Sequence, residues 1–158
     1  MAEFAYNPIQ LVEPNQNIIL DTVIPCNKGY VYHRDQSGIV ILRGIVNCQN
    51  ACFARYQVTF NGNIALPDGA EVGPISIAIA IDGEPVQTSR AIVTPADTAE
   101  DPPTAANFFN VTSTAIINVP KGCCFTVAIE NTSGPAATGG VAPEILVQNA
   151  NMTVARIA

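Results

Sequence analysis

Ile75-Ser76-Ile77-Ala78-Ile79-Ala80-Ile81, followed at once by Asp82-Gly83, is the stretch that decides the fold. Isoleucine at every second position gives a strand one face of β-branched side chains. The opposite face is Ser76, Ala78 and Ala80, all small. A strand with one wet face ordinarily carries Thr, Lys or Glu there. Small side chains instead predict close approach by a second surface, either a packed sheet or another subunit. Asp82-Gly83 predicts a two-residue turn, because both residues tolerate positive φ. Glu84 to Thr94 is then the returning strand, and the chain is an antiparallel β protein.

Working outward, the same alternation recurs on both sides. Asn17 to Ile24 reads as a strand that stops at Pro25, and Tyr30 to Arg34 as another, closed by the turn Asp35-Gln36-Ser37-Gly38. Ile39 to Val46 is a strand in which Gly44 marks a bulge or a tight approach. Arg55 to Phe60 has Tyr56, Val58 and Phe60 on one face, and Asn61-Gly62 reads as its turn. Pro95 to Pro103 is a polar, proline-rich loop. Phe108 to Val119 follows, then the turn Pro120-Lys121-Gly122. In the next strand Cys123, Phe125, Val127 and Ile129 share the inward face. Ser133 to Pro143 is a Gly/Ala/Pro loop, and Leu146 to Ile157 closes the chain. Residues 1–16, with Pro8 and Pro14, read as an extended N-terminal arm, and residues 17–158 as one domain. The expectation is an all-β, antiparallel β-sandwich of about eight to ten strands, ordered as a jelly roll.

Composition narrows the function. The 158 residues are 48% hydrophobic and only 13% charged, against the roughly 25% charged usual for soluble domains. So few charges leave a surface made of Asn, Thr, Ser and Gln, or a surface buried in an oligomer. The net charge is −6, with no basic cluster. Nucleic acid and anionic membranes are excluded as partners, because both need cations to neutralise phosphate. No apolar run reaches the length of a membrane span. The first residues carry neither the charged nor the apolar region of a signal peptide, which points to synthesis in a cytoplasm.

Five cysteines occur, at 26, 48, 52, 123 and 124. The odd count argues against a disulfide framework and favours small buried hydrophobes, with a Cys48–Cys52 bridge as the alternative after release to an oxidising medium.

No catalytic constellation emerges, so the chain reads as a non-enzyme. His33, Asp35 and Ser37 hold the letters of a triad but are near neighbours, whereas a working triad converges from separate elements. The cysteine spacing is a poor match to zinc, because Cys123 and Cys124 face apart on a strand. Asp97, Glu100 and Asp101 share one loop and offer oxygen ligands for calcium, without the spacing of a known calcium loop. No cofactor is implied.

Three segments carry a resemblance: Phe53 to Gly62, an aromatic-rich strand ending in glycine; Ile75 to Pro85, an apolar strand with a tight return; and Asn149 to Ile157, a closing strand. Together they resemble the trimeric jelly rolls of the tumour necrosis factor and complement globular-head superfamily, in its bacterial and phage branch. The resemblance implies a homotrimer with an apolar threefold axis. Tyr56, Phe60, Ser76, Ala78, Ala80, Phe108 and Phe109 are then the candidate trimer interface. A short arm before a jelly roll suits docking onto a larger assembly, with Phe4, Tyr6, Ile9 and Leu11 as the candidate capsid anchor. The expected role is a decoration or head-fibre protein on a phage capsid, located on the virion and partnered by the major capsid protein or another virion component. The alternative is a host-receptor or carbohydrate-binding head that takes a host surface ligand.

Overall fold

The computed structural model describes residues 1–24 and 29–158, so Cys26 lies outside the described residues. Twelve strands are present in them: β1 Ala2–Tyr6, β2 Gln10–Val12, β3 Thr22–Ile24, β4 Val31–His33, β5 Val40–Arg43, β6 Phe53–Ala65, β7 Ile75–Ile81, β8 Glu84–Pro85, β9 Ala91–Val93, β10 Phe109–Pro120, β11 Cys124–Asn131 and β12 Ile145–Arg156. They form two antiparallel sheets. Sheet A runs β10-β6-β12-β1-β3, with β2 also on β12; sheet B runs β4-β5-β11-β7-β8, with β9 also on β7. The two sheets face each other as a sandwich, so the expected jelly-roll architecture holds.

The period-two strands supply the core. Ile75, Ile77 and Ile79 of β7 pack from sheet B, and Tyr56, Val58, Phe60, Met152 and Val154 pack from sheet A. Each such side chain removed from water contributes about 1.5–3 kcal/mol.

Three expectations are corrected. The extended arm is the first. Residues 2–6 form β1, inserted between β12 and β3: Phe4 pairs with Met152 on one side and Val23 on the other. Ala2 and Phe4 are buried, and the Phe4 ring stacks on the His33 ring with centroids 5.2 Å apart. Five residues are too few for the Ala2/Phe4/Tyr6 period to stand out beside Pro8 and Pro14. The second is the strand end at Asn61-Gly62. β6 runs straight through it, with Gly62 opposite Val111. A Cβ on Gly62 would lie 2.7 Å from the Phe60 ring, so this glycine clears space for an aromatic ring instead of turning the chain.

The third is the return after Asp82-Gly83. The turn forms, with φ of 51° and 82° at the two residues. The returning strand breaks into β8 and β9 around a 3₁₀ turn at Gln87–Ser89. There the Ser89 hydroxyl accepts from the Ile79 amide at 3.0 Å and donates to the Val86 carbonyl at 2.7 Å. A side chain thus replaces one backbone rung. This break and the strands of the first twelve residues account for the count exceeding ten.

At the far side of β12, Asn149 adopts a left-handed φ of 52° and shifts the β12–β6 register between Gln148 and Asn151. β1 pairs with β12 beyond that bulge and β2 before it.

Candidate functional site

The outward face of sheet A carries a continuous array of uncharged polar side chains across β10, β6 and β12. Registers place Gln57, Thr59, Asn61 and Asn63 of β6 beside Ile116, Thr114, Thr112 and Asn110 of β10. On the other side they lie beside Ala155, Thr153, Asn151 and Gln148 of β12. None of these side chains is ionisable. They satisfy one another across strands. The Thr59 and Thr114 hydroxyls are 3.2 Å apart, and Asn61 donates to Thr112 at 3.1 Å. Asn110 donates to Asn61 at 3.0 Å and to Asn63 at 3.1 Å. Charge enters this face beside the β10-β6-β12 carpet, at Arg55 near one strand end and at Glu3 on β1. Arg55 donates to Asn118 at 2.9 Å with its guanidinium over the Phe53 ring, and Glu3 accepts from Asn151. Apolar side chains dot the same face: Ile116 (55% exposed), Leu11 beside Leu146, and Ile24 beside Glu3.

The predicted interface lies mostly elsewhere. Tyr56 and Phe60 are fully buried in the core, and the Tyr56 hydroxyl donates to the Arg43 carbonyl at 2.6 Å. Ser76, Ala78 and Ala80 are buried within the single chain; the Arg90 guanidinium reaches across Ser76 to the Thr132 carbonyl at 2.9 Å. These five side chains have no surface left to offer another copy. The small-residue face of β7 is therefore an intramolecular contact. Phe108 is half-buried, and Phe109 is exposed at the start of β10, in the inward register of Val111. Sequence reasoning missed the outward residues of β6 and β10 because Thr, Asn and Gln at alternate positions look like an ordinary wet face.

Of the predicted anchor, Phe4 is core and Tyr6 is half-buried against it, while Ile9 and Leu11 are exposed. Leu11 and Leu146 floor an open cleft of about 340 Å³ with Pro67, Asp68, Glu100, Asp101 and Pro103. Asp97 accepts from the Thr98 amide at 2.8 Å and does not line this cleft. Among the described residues no group of three or more Asp, Glu, His or Cys side chains is placed to hold a metal ion.

His33, Asp35 and Ser37 do not assemble a triad. The His33 Nε2–H donates to the Ser37 carbonyl at 2.9 Å, and the Ser37 hydroxyl donates to the Arg34 carbonyl at 2.6 Å, as in a turn cap. The His33 Nδ1 is buried with no hydrogen bond, 3.9 Å from Asp35. Glu130 of β11 has a displaced titration. Burial raises its carboxyl above the ordinary range, and the nearby Glu84 charge adds to this.

The cysteines also differ from expectation. Cys48, Cys52, Cys123 and Cys124 are all exposed and free. Cys123 falls in the turn before β11 and so does not join Phe125, Val127 and Ile129 on the inward face.

No protein-family model matches the chain, and neither does any curated protein. Solved structures do. Eiger, a tumour necrosis factor from S. frugiperda, aligns over 100% of this chain and 92% of its own, with a TM-score of 0.53 at 11% identity. The likeness is one of fold: an antiparallel jelly-roll sandwich. The globular domain of zebrafish complement 1qA aligns over 96% of this chain and 94% of its own, with a TM-score of 0.49 at 10% identity. The EclA C-terminal domain, a sugar-binding protein, aligns over 94% and 79%, with a TM-score of 0.40 at 13% identity. In this jelly roll, β10, β6 and β12 present the uncharged face described above.

Proposed function

We propose that the protein is a non-enzymatic structural head that assembles as a homotrimer through the outward face of sheet A, and that the trimer serves as a decoration or head-fibre protein on a virion. The observation that carries the assembly is the uncharged carpet across β10, β6 and β12. Burying ionised side chains costs several kcal/mol each unless they are paired. Amides and hydroxyls that already bond one another cost far less to dehydrate. Ile116 and Ala155 add apolar area within that carpet, while Leu11 and Leu146 lie beyond it on the β2 side. A trimer is the typical state of tumour necrosis factor and complement heads, and a closed cyclic ring of that kind buries the same face on every copy.

Light scattering on a sizing column tests this. The expected mass is about three times 16.6 kDa, collapsing to one chain in Ile116→Arg. A monomeric wild type would sink the reading.

The virion placement, with the major capsid protein or another virion component as partner, is supported by the motif resemblance to phage members. Ile9 and Leu11 remain as its anchor. Leu11→Asp is expected to abolish co-sedimentation with capsids while leaving the trimer intact. Unchanged co-sedimentation would reject the anchor. A host-receptor or carbohydrate-binding head is the second reading, favoured by one feature: a flat array of amides and hydroxyls can also bond sugar hydroxyls. Reproducible glycan-array binding, lost in Asn61→Ala, would select it.

A further inference from the structure

Exposed thiols are uncommon, because cysteine is among the most often buried residue types. Here every described cysteine is exposed, and all four lie at one end of the sandwich. Cys48 and Cys52 sit in the loop between β5 and β6, and Cys123 and Cys124 at the turn into β11. The two segments are tied together. Lys121 donates its amide to the Cys52 carbonyl at 2.9 Å, Gly44 to the Cys123 carbonyl at 2.8 Å, and Gly122 to the Gly44 carbonyl at 2.9 Å. Two glycines make this junction. A Cβ on Gly44 would stand 1.9 Å from the Pro120 carbonyl oxygen, and Gly122 has a φ of 80°.

The junction leaves a shallow cleft of about 110 Å³ lined by Arg43, Gly44, Ile45, Gly122, Cys123 and Cys124. Arg43 is the cross-strand partner of Cys124. Lys121, Arg55 and Arg156 lie at the same end, against Asp82, which bonds Thr126, and Glu84 beside it.

We propose that this cleft is a site of thiol–disulfide exchange that takes an anionic low-molecular-weight disulfide, such as a glutathione-type peptide disulfide, onto Cys123 or Cys124. The protein thiol loses its proton to solvent, and its sulfur attacks one sulfur of the incoming disulfide. The disulfide bond breaks, and its electron pair leaves on the other sulfur, which is released as a thiol after taking up a proton. The protein sulfur is oxidised, the departing sulfur is reduced, and a mixed disulfide remains. Arg43 and its cationic neighbours draw the carboxylates of the incoming molecule to the cleft. The site does not depend on the trimer reading.

The test incubates the reduced full-length protein with oxidised glutathione and, separately, with neutral bis(2-hydroxyethyl) disulfide. Intact mass follows the rate, and peptide mapping assigns the cysteine and separates Cys26. The expected adduct is on Cys123 or Cys124. Arg43→Gln is expected to slow glutathione addition about threefold or more while leaving the neutral reagent unchanged. Adducts confined to Cys48, Cys52 or Cys26 would overturn the assignment, and so would an equal effect of Arg43→Gln on both reagents. Circular dichroism of Arg43→Gln guards against misfolding, and Arg43→Lys is expected to restore the preference for the anionic reagent.

Discussion

Phe4→Ala separates a docked first strand from a free arm. The Phe4 side chain is 1% exposed, lies in the β1 ladder between Met152 and Val23, and stacks on His33. Truncation removes the ring from the core and leaves a cavity between β1 and β4, which places the loss at about 3–5 kcal/mol. For a domain of this size each kcal/mol moves the midpoint by roughly 2–4 °C, so the thermal transition should fall by roughly 6–20 °C. Urea unfolding followed by circular dichroism measures the same loss as a lower midpoint at constant slope. Ile9→Ala serves as the surface control and should change stability by less than about 0.5 kcal/mol. A Phe4→Ala loss below about 1 kcal/mol would refute the placement of β1 and restore the extended arm. The same burial means that deleting residues 1–16 removes β1 and β2 from sheet A, so anchoring is better probed at Leu11.

Further predictions follow from single contacts. Glu130 binds its proton more tightly folded than unfolded, since burial and then Glu84 raise it above the ordinary 4.5. Stability therefore falls as pH rises through the interval from 4.5 to the raised value. Glu130→Gln is expected to be more stable than wild type at neutral pH and equal to it below pH 4.5 in urea titrations; a gain that persists in acid would reject the cause. Gly44→Ala drives a methyl into the Pro120 carbonyl and should cost about 1–3 kcal/mol or fail to fold, read by thermal melting. Ser89→Ala leaves the buried Ile79 amide without its partner, and chemical denaturation should show a loss of about 1–3 kcal/mol.

The sequence was most legible where the period-two signal was long. Ile75–Ile81 and its Asp82-Gly83 turn are as expected, with the isoleucine face in the core. The functional surface was less legible for a physical reason. Alternation assigns residues to two faces of a strand, and it does not say what lies beyond either face. Ser76, Ala78 and Ala80 have the size of an interface lining, yet the packing of Arg90 and neighbouring segments buries them within one chain. Asn61, Asn110 and Thr112 become a continuous carpet only once β6 and β10 are in register.

Local chemistry alone thus determined the all-β class, the sandwich and the tight hairpin, because strand period and turn φ are short-range properties. Tertiary structure decided that the first residues are a sheet strand, that the aromatic face of β6 is core, that Gly62 makes room for Phe60, and that four thiols gather at one end beside Arg43. Each of these depends on which distant segment arrives as a neighbour, and no local period in the chain encodes that.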